Sequence, residues 1–571
     1  MGILDLIGRG LSERSTRAKL EERSTRAKLE ECGRIVGTLV LCLAVAACSK
    51  VTSGTHPAGH RLDHPGVVRI VGAGTIDSLV PELASSTAST DAAMFWGGWF
   101  FTVDEKGRLV PDLALAVPTR VNGGISADGL TITYHLRKGV MWHDGVPFTA
   151  RDAVFTWRQI MNPANNVLTR TGYDQIQSMS APDPYTVVVR LKRQYAPAVA
   201  TFFAPSLAPM TVLPEHLLKG LPDINHAAYN VKPVGTGPFI VTKYEQASGV
   251  TMKANPHYWR GPPKLREVEY LIVPNSTTRA VMMRTGDADL YSDPQVNQLR
   301  DLASIPGATL LHIPFNEFWY LTFNVTHPPL DDVAIRRALA MGIDKQYILN
   351  NVMHGGASPA VGDQPSYLYT YDPDVPAPRY DPQTAAAALD AAGWRVGADG
   401  TRVKGGKRFE LVYAFDREAN DGERIGAILQ QQMRKLGVDL IVKGIAHSIY
   451  YADKNAGGVL SQGKFDVAYE GWIGGVDPDD IALWACDQRG GYNHSFICDP
   501  RIDEQERIAL THYDIPTRRT AYRRIQELLA EDVPVTFLWW TRRNDLIANT
   551  LRGYKPAPTV TTFSNPWEWS N

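Results

Sequence analysis

The chain has 571 residues, more than one hydrophobic core usually fills, so two or three globular units are expected. Its 59 basic and 60 acidic side chains nearly cancel, which leaves no electrostatic basis for binding nucleic acid or an anionic membrane surface. With 44% hydrophobic and 21% charged residues the balance is that of a globular protein, and 13 Trp and 23 Tyr supply stiff, amphipathic surface for cores and ligand walls.

The N-terminal region reads as an address. ERSTRAKLE occurs twice in tandem, Glu13 to Glu21 and Glu22 to Glu30, a mixed-charge duplication with no place in a core. Arg34 to Ala47, RIVGTLVLCLAVAA, has a basic flank and an apolar run too short to span a bilayer, which fits a secretory leader over residues 1–48. Val45-Ala46-Ala47-Cys48 followed by Ser49 resembles a bacterial lipobox, so Cys48 is the expected lipidation site. That predicts a location in the periplasm or on the outside of the cell envelope, with a membrane anchor. Residues 49–66 are rich in Gly, Pro, Ser, Thr and His and read as a flexible tether. Cys32 and Cys42 fall in the leader, so if Cys48 is acylated an even pair remains. In an exported chain a disulfide between Cys486 and Cys498 is then the default. No cofactor or resident metal is expected.

Beyond the tether, short β-branched runs predict strands at Val67 to Gly74, Leu130 to Val140 and Tyr185 to Lys192. Helical periods cover Ala150 to Met161, Asp332 to Met353, Pro382 to Ala392, Gly422 to Leu436 and Pro516 to Glu531. The mixture predicts α/β lobes. Within MWHDGVPFTARDAVFTWRQI (Met141 to Ile160), Asp144-Gly145 signals a turn, Thr149 can cap the next helix, and Asp152 puts negative charge on its first turn. His143 and Asp144 are adjacent and cannot easily present both side chains to one substrate atom. The segment therefore reads as a strand-to-helix connection in which Phe148, Val154, Phe155 and Trp157 bury.

LTITYHLRKGVMWHDGVPFTARDAVFTW (Leu130 to Trp157) resembles the matching segment of the bacterial extracellular solute-binding proteins of family 5, the periplasmic oligopeptide- and dipeptide-binding proteins of ABC importers. Further matches come in the family's order: LVPDLA (Leu109 to Ala114), GTGPF (Gly235 to Phe239), ANPHYWRGPPKL (Ala254 to Leu265), LTFNVTHPPLDDVAIRRALAMGIDKQYI (Leu321 to Ile348), YDPQTAAAALDAAGW (Tyr380 to Trp394) and LLAEDVPVTFLW (Leu528 to Trp539). The resemblance implies an α/β, two-lobed periplasmic-binding-protein-like fold of the large class, with mixed sheets flanked by helices and a hinge between lobes. Lobe I is expected over 67–315 plus 538–571, with an extra subdomain across about 75–229, and lobe II over 316–537. Chain crossings are expected near His312 to Phe318 and Val535 to Trp540. A monomer is implied that traps a peptide between closing lobes and passes it to ABC permease subunits powered by their own ATPases.

KFDVAYEGWIGGVDPDD (Lys464 to Asp480) resembles the family's cleft strand and loop, where an aspartate three residues after the Trp pairs with the peptide ammonium. Here Trp472 and Gly474 are followed by Gly475 at that position. Either Asp477 takes the role, or the guest has no free amine there. Ser85, Ser86 and Thr87 align with a groove-lining loop, Phe95, Trp96 and Trp99 are candidate walls, and Arg417 and Arg424 are candidates for a ligand carboxylate through bidentate geometry. The missing aspartate keeps a second reading open: a binder of a nickel chelate, haem, an opine or an oligosaccharide. An exported hydrolase is the remaining rival, resting on Ser461-Gln462-Gly463-Lys464, which fits SxxK without a KTG companion.

Overall fold

The computed structural model describes residues 64–571 except 208 and 420. The leader, Cys48 and residues 49–63 of the tether lie outside the described residues. Among the described residues no helix is long and apolar enough to cross a membrane.

One mixed sheet of eleven strands organises the fold. From one edge its order is Asp439–Ile445, Glu410–Asp416, Val467–Ile473, Ala308–Phe323, Val535–Ala548, Leu290–Ser292, Val67–Gly72, Glu267–Ile272, Gly249–Ala254 and Phe239–Glu245, with the short strand Ala357–Pro359 on Val535–Ala548. Helices flank it, as the mixed α/β pattern of the sequence requires. The two long strands, Ala308–Phe323 and Val535–Ala548, run antiparallel through its middle. Their register breaks between Pro314 and Phe318, where extra residues bulge and Ala357 pairs with Thr541 instead.

On one side of that break, Val68, Ile70, Phe95, Trp96, Phe239, Val268 and Trp569 share a core. On the other, the two faces of the sheet bury separate clusters, one around Leu321, Tyr413, Leu429 and Trp539 and one around Phe318, Trp484, Tyr522 and Phe537. A three-stranded antiparallel sheet, Thr131–His135, Thr186–Leu191 and Ile176–Asp183, packs with the helix Ala150–Met161 over its own core, including Ile132, Val187, Val189 and Ile160.

The Trp-His-Asp-Gly segment is the connection its residues predict. Gly145 adopts φ +85°, a conformation that costs glycine little. The Thr149 backbone N–H donates to Asp152 Oδ2 at 2.8 Å in a capping box, worth about 1 kcal/mol. His143 Nδ1 accepts from the Gly235 N–H at 3.1 Å, so Nε2 carries the proton and donates to the Gly237 carbonyl at 3.0 Å. Burial lowers its pKa to about 4, so the ring is neutral and serves to pin GTGPF. Gly235 cannot carry a side chain, because a Cβ there would stand 1.7 Å from the Trp96 carbonyl oxygen.

The helix expected over Asp332 to Met353 is interrupted. Val333–Met341 ends at Gly342, against which Leu436 Cδ1 packs 2.2 Å from where a Cβ would stand. Asp344 then restarts the chain as Lys345–Ile348 by accepting the Tyr347 N–H at 2.9 Å, and a π turn, Leu349–Met353, follows. Apolar periodicity continued across the break, while a glycine contact and a new cap divided the helix.

Candidate functional site

The strand Val467–Ile473 pairs along its whole length with Ala308–Phe323. On its other side only Val467 and Ala468 pair, with Tyr413 and Ala414. Tyr469 to Ile473 thus present an edge with no strand partner among the described residues. The Tyr469 carbonyl on this stretch accepts from Tyr450 Oη at 2.9 Å.

This edge leads into a narrow crevice lined by Asn316, Phe318, Gln364, Trp472, Asp477 and Asp479, among others. Asn316 sets the turn that follows the strand: its carbonyl accepts the Gly474 N–H at 2.7 Å and its Nδ2 donates to the Gly475 carbonyl at 2.6 Å. A Cβ on Gly474 would stand 2.5 Å from Asn316 Nδ2, so a side chain there would displace the Asn316 amide from the turn. A Cβ on Gly475 would meet Ser206 Oγ at 3.1 Å, so the loop around Ser206 crowds the place where an aspartate is expected.

Asp477 is committed elsewhere. Its two carboxylate oxygens accept from Arg518 Nη1 at 2.7 Å and Nη2 at 2.5 Å, with both side chains largely buried. Burial works to lower the Arg518 pKa, but Asp477 more than offsets it and holds the guanidinium charged. The turn Asp477-Pro478-Asp479 is folded in rather than solvated: Pro478 is buried and Asp479 half-buried. Asp479 accepts from the Ile481 N–H at 3.3 Å and forms no ion pair among the described residues. Burial, and then the like charge of Asp477, push its pKa up to about 6. Of the crevice carboxylates with no cation partner among the described residues, Asp479 is half-buried while Asp363 and Asp480 are buried, and its only sequence signal was its place one residue past a proline in the cleft loop.

Two further carboxyls, Asp363 and Asp480, also line the crevice, and Glu506 lies beside them, the three exposed by 4%, 4% and 0%. Burial raises the pKa of each, and mutual proximity raises that of Asp480 further. Their contacts are hydrogen bonds only while protons are shared among them. Gln364 Nε2 donates to Asp480 Oδ2 at 2.9 Å and Trp484 Nε1 to Asp363 Oδ2 at 2.7 Å.

Other sequence candidates fall away from the crevice. Phe95, Trp96 and Trp99 are 0%, 0% and 2% exposed, which corrects their reading as ligand walls. The helix Thr87–Trp96 is buried from Ala88 onward, with Phe95 edge-on to Trp569 at 5.5 Å and Trp96 edge-on to Tyr229 at 6.2 Å. Ser86 caps that helix by accepting the Ala88 N–H at 3.2 Å. Ser85 donates to Asp77 through its backbone N–H at 2.8 Å and its hydroxyl at 2.7 Å, while Thr87 is exposed. Partial burial opposes ionisation of Asp77, but the bonds from Ser85 and Ser89 hold it below the usual carboxylate range. Arg417 is exposed after the strand Glu410–Asp416, and Arg424 donates to the Asn351 carbonyl; neither lines the crevice. Ser461 donates to the Ala452 carbonyl and Lys464 to that of Gly457, so the SxxK residues serve separate backbone groups. Cys486 and Cys498 form a disulfide, with Cα atoms 4.5 Å apart. Inside its loop, Asn493 Nδ2 donates to three carbonyls, those of Trp484, Ala485 and Ile497.

A long mixed sheet thus joins separate cores, and a strand edge without a strand partner among the described residues leads to a crevice. The chain belongs to the bacterial extracellular solute-binding proteins of family 5, whose model matches residues 79–494. Protein XP55 of Streptomyces lividans is 30% identical over 438 residues, 76% of each chain. The oligopeptide-binding protein AppA of Bacillus subtilis is 26% identical over 535 residues, 91% of this chain and 95% of AppA. Among solved structures, AppA in complex with a nonapeptide superposes with a TM-score of 0.69 at 23% identity, covering 89% of this chain and all of that one. NikZ of Campylobacter jejuni in complex with Ni(L-His) gives 0.70 at 24% identity with the same coverage. The fold is that of two-lobed periplasmic solute-binding proteins, and because it serves both neighbours, the choice of guest rests on the site.

Proposed function

We propose that this protein captures peptides in an ABC import system, holding them between two lobes, 67–315 with 538–571 against 316–537, and releasing them unaltered to a membrane permease. The bare edge from Tyr469 to Ile473 carries this reading. An extended peptide laid along it satisfies its backbone amides there without its side chains being read, which suits guests of varied sequence. The edge runs to Asp479, where a peptide ammonium supplies the cation that carboxylate lacks. Trp472 stands at the junction as an apolar wall. In the expected mature form a lipid on Cys48 tethers the protein, the ATPases of the permease supply the energy, and lobe closure is a population shift driven by contacts made only when shut.

Titration calorimetry with short peptides tests the reading. Binding is expected to weaken at least about tenfold when the amine is acetylated or when an edge-facing amide is methylated. Calorimetry silent to all peptides, together with native mass spectra showing a co-purified metal chelate or sugar, overturns it. An intact mass of the envelope form without the acyl increment on Cys48 removes the anchor alone.

A further inference from the structure

Two tyrosines of the range 316–537 reach across to the rest of the chain, and each seats its ring on a glycine turn. Tyr513 stands in the elbow between the helices Pro500–Thr511 and Ile515–Asp532. Its hydroxyl donates to the Gly129 carbonyl at 2.8 Å and accepts the Tyr195 N–H at 3.3 Å. Beside it the Ala196 N–H donates to the Leu510 carbonyl at 2.7 Å. The ring packs on the core of the three-stranded sheet, with the Arg120 guanidinium 5.6 Å from its centre. Tyr367 crosses at a second point, where its hydroxyl donates to the Pro558 carbonyl at 2.9 Å. A Cβ on Gly129 would stand 2.9 Å from Tyr513 Cε2, and one on Gly107 would stand 2.8 Å from Tyr367 Cδ2. Both glycines have positive φ, +69° and +75°, so each ring rests where the chain turns without a side chain.

Each tyrosine is also joined to the guest crevice. Tyr367 lies between Gln364 and Leu368, which line it. The elbow of Tyr513 is tied to the cleft loop through Arg518, whose Nε donates to the Ala509 carbonyl at 2.9 Å while its other two nitrogens hold Asp477. On the receiving side, Tyr195 is near enough to that loop for the charges of Asp479 and Asp477 to add to burial in raising its phenol pKa. We propose that Tyr367 and Tyr513 are clasps that hold the two lobes shut, positioning residues that touch no guest and set how long one stays. The inference rests on the two-lobe capture reading. Hydroxyl-to-carbonyl bonds suit the task, because water replaces them at little net cost when the lobes part. A guest bridging the crevice adds its contacts to theirs and moves the population toward the shut form.

The test uses the whole protein and trialanine as probe. Tyr513→Phe and Tyr367→Phe keep the rings and remove the hydroxyls. In stopped-flow tryptophan fluorescence each is expected to speed trialanine dissociation about threefold and the pair about tenfold, with the association rate unchanged. A residue that only stabilised its own lobe would lower the melting temperature and leave both rates as they were. In the unaltered protein, saturating trialanine is expected to slow hydrogen exchange at the Ala196 amide at least about tenfold, while amides inside the strand Thr186–Leu191 keep their rates. Unchanged dissociation in the double variant overturns the proposal, as does Ala196 exchange indifferent to bound trialanine, which needs no variant to fold. Should trialanine and the other short peptides all fail to bind, it is the capture reading that fails. The clasps are then decided by scattering without guest, where the double variant is expected to show a larger radius of gyration and an identical curve overturns them.

Discussion

Two buried charge networks on opposite sides of the sheet's bulge are built differently. Around Arg543, one guanidinium donates to Asp91 Oδ2 at 2.8 Å, to Ser292 Oγ at 3.0 Å and to the Val560 carbonyl at 3.0 Å. Asp545 in turn accepts the Asp293 N–H at 3.2 Å and the Thr562 hydroxyl at 3.2 Å. Around Arg518 the single cation is spent on Asp477, and Asp363, Asp479, Asp480 and Glu506 have no cation of their own. The first network fastens strands, and its carboxylate Asp91 has a guanidinium directly on it. The second holds protons that a change of pH or a cationic guest can remove, and it borders the crevice.

Mutations separate the two. The largest effect is expected from Arg543→Met, which strands Asp91 in a buried site and should cost about 4 kcal/mol in urea unfolding, with much of that recovered when Asp91→Asn is added. Arg518→Met should cost about 3 kcal/mol, because Asp477 is slightly less enclosed. Glu506→Gln should act in the opposite direction. The raised carboxyls bind more protons folded than unfolded, so stability is greatest near the ordinary carboxylate range of about 4 and declines as pH rises toward the raised values. Removing one ionisable member should therefore stabilise by about 1 kcal/mol at pH 8 and flatten the pH dependence of thermal unfolding. Asp479→Asn should likewise raise stability at about pH 7.5, since that carboxyl too is held above its ordinary range, and should weaken peptide binding by about 1.4 kcal/mol. In the unaltered protein that affinity should fall as pH drops below about 6, and the variant should lose this dependence. If the variant binds peptides normally with the pH profile intact, the division between a fastening and a titrating network fails.

Much of the architecture was legible because it rests on local rules. Thr149, Asp152 and the apolar spacing after them specify the helix Ala150–Met161 to the residue, and ordered motifs from Leu109 to Trp539 carried the family. The site was less legible because its chemistry joins residues distant in the chain. Arg518 lies in a run of arginines that reads as a solvated helix face, and its partner is 41 residues away. Phe95 and Trp96 were read as walls because aromatic rings near a groove loop and rings in a core have the same sequence signature; only the packing of Trp569 and Tyr229 against them separates the two. The departure at Gly475 was visible, but not its consequence, since Asp477 and Asp479 are equally acidic until Arg518 occupies one of them.

The long strands Ala308–Phe323 and Val535–Ala548 have a consequence for dissection. Each is hydrogen-bonded on both flanks and contributes to both sides of the bulge, so no cut in the chain frees one half without baring the other's backbone. Fragments expressed separately would display long sticky ribbons and coalesce rather than fold. Any module borrowed from this scaffold must keep both ribbons together.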